Sequence, residues 1–198
     1  LWGGKFMVIK RIVWVLALVV IPCVGYADID VALKEANESF TYQGKPIHPG
    51  LVEEFNNWLS DRGLPTTISV DVAAPHRNEY NEDDVEIRED GYIFLIEEDE
   101  PGYYYYKWLG RLENGLHVLE TGESGGGSGT FMDLFFVRFD KGRGINHEGE
   151  EYDRLLMTIV RVGRLGDRDD GEITVLPDKV IMGESRYRDE PVILEFGE

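Results

Sequence analysis

Gly102 to Asp140, GYYYYKWLGRLENGLHVLETGESGGGSGTFMDLFFVRFD, sets two strand-like runs on either side of the most flexible segment in the chain, Gly125-Gly126-Gly127-Ser128-Gly129. In an extended run Tyr103 and Tyr105 point one way with Lys107, while Tyr104, Tyr106 and Trp108 point the other. Glu113-Asn114-Gly115 supplies a hairpin turn between this run and Leu116–Thr121. Beyond the glycine loop, Phe131, Phe135, Val137 and Phe139 make one side of a run whose other side carries Met132, Leu134 and Phe136. Only a strand covered on both faces tolerates that composition, so Phe131–Phe139 belongs at the centre of a sheet.

Further strands are predicted on both sides of this block. Thr67–Val72 alternates with period two, and Val85–Arg88 turns back into Tyr92–Glu97 at Asp90-Gly91. Leu155–Val162, Glu172–Leu176, Val180–Glu184 and Val192–Phe196 complete the set, with residues 141–151 read as a charged, glycine-rich loop. Leu51, Val52, Phe55, Trp58 and Leu59 form one apolar stripe. That spacing predicts a helix over 51–62, stopped by Gly63 and Pro65, that packs Phe55 and Trp58 onto the sheet. Residues 28–50 read as a lead-in, a short helix or disordered segment followed by a loop. The resulting class is α+β, with about nine strands in a mainly antiparallel, strongly curved or barrel-like sheet over one globular domain spanning 40–198. A two-sheet β-sandwich capped by the helix is the alternative.

The 198 residues carry 38 acids against 20 Lys and Arg, a formal charge of −18. Lys10 and Arg11 precede the apolar run Ile12–Ile21. Pro22 then breaks the run and Gly25-Tyr26-Ala27 offers small residues before a cleavage point, so residues 1–27 read as a signal peptide, with Leu1–Phe6 an upstream extension. Removing it takes away Lys5, Lys10 and Arg11 and no acid, leaving 17 basic and 38 acidic residues, or −21. A field of that sign repels nucleic acid and favours cationic partners. Cys23, the single cysteine, falls in the removed segment, and Pro22 before it argues against a lipoprotein. The expectation is therefore a periplasmic or secreted protein with no membrane span after cleavage.

The glycine loop invites three enzymatic readings and meets none of their requirements. Gly126-Gly127-Ser128-Gly129-Thr130 lacks the last glycine of a nucleophile elbow and runs into a strand. A phosphate loop needs a lysine where Ser128 stands, and the dinucleotide fingerprint fails at Thr130. What remains is a connection of small residues that another backbone can approach closely. The tyrosine run is the second candidate, because a row of exposed rings stacks on sugars or anchors a protein interface. His48, His76, His117 and His147 show no zinc spacing. Asp167, Asp169 and Asp170 place carboxylates ahead of Gly171 as a calcium loop does, in a register that is wrong for an EF-hand.

No cofactor is implied, and no stretch carries a catalytic signature. Three functions follow as expectations. The first is an exported acidic module that binds or inhibits a cationic envelope protein through Gly125–Gly129. The second is a carbohydrate- or peptidoglycan-binding module that uses Tyr103, Tyr104, Tyr105, Tyr106 and Trp108. The third is a hydrolase with dispersed carboxylates.

Overall fold

Asp28 starts the first helix by accepting the Asp30 N–H at 2.9 Å through its side chain, which satisfies one of the orphan donors of a helix start. The computed structural model describes residues 28–56, 68–74, 85–96 and 101–196. The predicted signal segment with Cys23, the predicted helix beyond 56 with Trp58 and Leu59, and His76 lie outside these. Helix α1 (Ile29–Ser39) takes the helical alternative for the lead-in, and buries Ala32 and Ala36 with Ile29 and Leu33 packed partly buried beside them. It ends on Phe40, a non-glycine residue in the left-handed region at φ 56°, whose N–H donates to the Ala36 carbonyl. That conformation costs free energy, and the ring burial it permits offsets it. Phe40 is 2% exposed, and its ring centroid lies 5.4–5.6 Å from those of Tyr106, His117 and Phe139.

The segment read as loop folds into a small hairpin, β1 (Thr41–Tyr42) with β2 (Lys45–Pro46). Its turn residues Gln43 and Gly44 have φ of 53° and 76°, and both of their N–H groups donate to the Glu35 carboxylate. His48 and Pro49 then open a short helix, α2 (Pro49–Glu53), whose start is capped by the Gly50 N–H donating to His48 Nδ1 at 3.1 Å. Leu51, Val52 and Phe55 are buried as the apolar stripe requires, and the helix begins two residues earlier than predicted.

Ten further strands follow: β3 (Ile68–Asp71), β4 (Val85–Ile87), β5 (Tyr92–Leu95), β6 (Tyr103–Arg111), β7 (His117–Ser124), β8 (Phe131–Ile145), β9 (Glu151–Asp167), β10 (Ile173–Val175), β11 (Lys179–Met182) and β12 (Val192–Glu195). Seven of them form an antiparallel sheet in the order β3-β9-β8-β7-β6-β5-β4, and β10-β11-β12 form a second sheet of three. The large sheet stays open rather than closing into a barrel. Half of the segment 141–151, read as loop, is strand: β8 and β9 run on together to the Ile145↔Glu151 pair, and only 146–150 turns. No helix among the described residues is long and apolar enough to cross a membrane.

Two cores lie on opposite faces of the large sheet. On one face, α1, α2 and the β1–β2 hairpin cover Tyr104, Tyr106, Leu119, Phe135, Val137 and Phe139. On the other, the small sheet presses Val180 and Met182 against Val118, Leu134 and Phe136. This double cover explains why β8 is apolar on both sides. The alternation of β6 serves both faces, with Trp108 packed on the first core and Leu109 on the second, and a bulge between Trp108 and Gly110 shifts the pairing register beyond them. The small sheet covers only part of its face, and the side toward β4, β5 and β6 is left open.

Candidate functional site

The open part of that face is a cleft of about 960 Å³. Residues paired directly across antiparallel strands share a face, so Phe94 on β5, Tyr105 on β6 and Gly122 on β7 lie in one row. Gly122 is required here: a Cβ at that position would come within 2.3–2.5 Å of the Tyr105 ring. The ring lies over the bare backbone and is 8% exposed although its strand face is open. Tyr92 meets Tyr105 edge-on at 5.3 Å, Phe94 lies 5.0 Å from Tyr105, and Tyr103 stacks near-parallel to Tyr105 at 23° and 6.2 Å. Four aromatic rings thus make the floor and wall of a recess.

Charged groups border the rings. The Arg88 guanidinium lies 3.7 Å from the Phe94 ring centre and pairs with Glu86 at 2.9 Å, while Lys107 Nζ sits 4.6 Å from the Tyr92 ring centre. Glu120, opposite Lys107, accepts the Tyr92 hydroxyl at 2.8 Å. Burial pushes the Glu120 carboxyl above the usual carboxylate range, against the pull of the Tyr92 hydroxyl and Lys107. Burial, with Glu120 close by, raises the Tyr92 phenol in turn.

The far wall is the segment after β9. Arg168 has φ 51°, a conformation a non-glycine side chain rarely adopts, and its N–H donates to the Thr130 carbonyl at 2.8 Å. Its guanidinium pairs with Asp167, which also accepts the Thr130 N–H. These contacts hold the Asp167 carboxyl below its usual range, the Arg168 hydrogen bond first among them. Asp169 is 2% exposed at its side chain and takes a two-pronged bond from Arg188 at 2.7 and 2.8 Å, with the Gly171 N–H and the Ser185 hydroxyl on the same carboxylate. Asp170 accepts from the Arg186 backbone and guanidinium. The three calcium candidates are therefore each engaged by an arginine, and the loop reads as a cleft wall clamped by ion pairs.

The tyrosine run divides as its alternation predicts, with one correction. Tyr104, Tyr106 and Trp108 turn into the helix-covered core, where Tyr106 is 0% exposed and its hydroxyl donates to the Ile47 carbonyl at 2.5 Å. Tyr103 and Tyr105 face the cleft, as a recessed wall and not a flat platform. Tyr103 exchanges a hydrogen bond with the Thr130 hydroxyl at 2.8 Å, which ties the tyrosine strand to the residue that follows the glycine loop.

Within that loop, Gly126 (φ 79°) packs on Pro101, which lines the cleft, while Cβ atoms at Gly125 and Gly127 would meet open space. The loop and the tyrosine face are thus neighbours. Arg88, Tyr92, Phe94, Glu120 and Arg168 are cleft residues that sequence reasoning missed. The usable signal was the alternation of β5, which puts Tyr92 and Phe94 on one face.

Among the described residues no three or more His, Cys, Asp or Glu side chains group to hold a metal ion. His48 caps α2, His147 is exposed, and His117 is buried with its ring centroid 5.2–6.1 Å from those of Phe40, Trp108 and Phe139. Comparison with protein-family models, with curated proteins and with solved structures finds no match to this chain.

Proposed function

We propose that this protein is a binding module that takes a glycan in the aromatic cleft. The observation that carries the reading is the pairing of the Tyr103–Tyr105 wall with Glu120 and Arg168 in one recess large enough for a small-molecule ligand. Sugar rings offer an apolar C–H face to an aromatic ring and a circle of hydroxyls to groups around it. A carboxylate accepts from such hydroxyls and a guanidinium donates to them. The lining carries both signs of charge, mostly spent in internal pairs: Arg88 with Glu86, Arg168 with Asp167, Asp169 with Arg188, Asp170 with Arg186. A neutral, hydroxyl-rich ligand suits that balance better than a strongly charged one.

The test is calorimetric titration of the protein with soluble oligosaccharides, peptidoglycan fragments among them. Tyr103→Ala is expected to weaken binding about tenfold, near 1.4 kcal/mol, and Glu120→Gln to weaken it similarly. If no saccharide binds at millimolar concentration, or if both variants bind as the parent does, the reading fails. The catalytic alternative asks more of the site. Glu120 has the environment of a proton donor, but the acids beside it in the lining among the described residues, Asp169 and Asp170, are both held by arginines.

A further inference from the structure

On the helix side of the ridge formed by Pro101, Gly102 and Tyr103 lies a second, smaller recess at the foot of the glycine loop. It is about 150 Å³ and is lined by Glu53, Tyr104, Glu123, Ser124 and Gly125 among others. Small-molecule sites begin at roughly 300 Å³, so this one has room for a single side-chain head group. Glu123 lies opposite Tyr104 across β6 and β7, and its carboxylate accepts from Asn56 Nδ2 at 3.1 Å. The Tyr104 hydroxyl is buried and finds no hydrogen-bond partner, and neither does Asn56 Oδ1. Burial acts on that hydroxyl most strongly, the Thr121 side chain lies near it, and Glu53, Glu123 and Asp133 add negative charge around it. An orphaned hydroxyl among carboxylates is costly to keep dry unless a donor arrives to use it.

We infer that this recess receives the ammonium or guanidinium group of a lysine or arginine on a basic partner protein, with Glu123 as counter-ion and the Tyr104 hydroxyl as a neutral acceptor. A cation donates to every oxygen on offer, and the chain's formal charge of −18 draws basic surfaces toward it. Gly125 borders the recess and presents no side chain, so the partner's backbone can come down beside it. The same loop therefore edges two sites of different character, an aromatic one for rings and an acidic one for a positive charge.

The experiment titrates the full chain with acetylated, amidated hexalysine, following the amide signals of Gly125 and Gly126 by NMR. The Nε-acetylated hexapeptide serves as the uncharged control. Saturable shifts at these glycines are expected with hexalysine and not with the control. Glu123→Gln should weaken binding about tenfold, and Tyr104→Phe, which removes only the hydroxyl, about threefold. One charge among 38 acids changes diffuse attraction little, so a tenfold loss locates the site.

Ser124→Ala, a smaller change, should leave the fold intact and the glycine shifts reduced. Shifts spread over the surface and indifferent to all three variants would overturn the inference. So would equal binding of the uncharged control, or calcium chloride alone reproducing the shifts and displacing hexalysine. Saccharide titration reads the other recess, so failure here leaves the glycan reading standing, and the converse also holds.

Discussion

Tyr104 and Tyr106 differ from Tyr103 and Tyr105 by a single position of register, yet the two pairs do opposite jobs on the two faces of one strand. Under the helices, rings interlock until almost nothing is exposed and the Tyr106 hydroxyl spends itself on a backbone carbonyl. Across the sheet, rings of the same chemistry stand at the edge of a recess beside carboxylates and guanidiniums. Identical side chains become core or site according to what the chain lays over them. On one side that cover is two helices and a hairpin, and on the other a three-stranded sheet too small to reach β5.

The largest effect that would sharpen this contrast comes from truncating one ring on each face. Tyr106→Ala should cost about 3–5 kcal/mol, since it empties a fully buried site, whereas Tyr103→Ala should cost under about 1 kcal/mol and act on ligand affinity instead. Urea denaturation of the two variants measures both, and similar losses would break the comparison. Nearly as large is Arg188→Ala, which strands the Asp169 carboxylate in the cleft wall. A loss of about 3–5 kcal/mol is expected, with Asp169→Asn/Arg188→Met recovering much of it.

The third contrast is titration. Burial holds His117 in the helix-side core down at about 4, against 6.5 unfolded, so the unfolded chain binds the proton more readily. Stability is then full above pH 6.5 and falls as the pH drops toward 4, by about 3 kcal/mol in all. His117→Phe should flatten that slope. Glu120 on the cleft side runs the other way, because its raised carboxyl takes up a proton in the folded state first and gains stability as the pH falls. Thermal melts across pH 4–7 for His117→Phe and Glu120→Gln separate the two.

The smallest effect is at Gly122. An added methyl must displace the Tyr105 ring, costing about 1–3 kcal/mol, and ligand affinity should drop with it. A Gly122→Ala protein as stable as the parent would mean that the ring has somewhere else to go.

The antiparallel class is legible because period-two alternation and Asn-Gly or Asp-Gly turns are local signals, and β3 to β7 follow them closely. The centrality of β8 is legible from its two apolar faces. Residues 141–145 are not, because Gly142 and Gly144 look like a loop, yet they pair with Arg154 and Tyr152, and the side chains of Leu156 at Gly142 and of Arg154 and Tyr152 at Gly144 fill the space a Cβ would take. The site is half legible. Alternation splits the tyrosines into two sets, but which set is buried depends on α1 and the small sheet, and neither is written in the strand itself. The surroundings of the calcium candidates are hidden from the sequence for a similar reason. Asp167, Asp169 and Asp170 look unspent in sequence, while Arg186 and Arg188 meet Asp170 and Asp169 only after the chain has turned back.

The long β8–β9 hairpin bears on the order in which the molecule assembles. Its fifteen paired positions close over a turn of residues 146–150, where the Asn146 side chain accepts from the backbone of Glu148 and Glu150. Pairing β3 to β9 instead joins Ile68 to Ile159, residues 91 apart, at an extra closure cost of about 2.5 kcal/mol by logarithmic scaling. The hairpin is therefore the natural nucleus, with β7 and then the tyrosine strand adding to one edge and β3 docking late on the other. Changes around Asn146 should act on the folding rate, and changes in β3 on the unfolding rate.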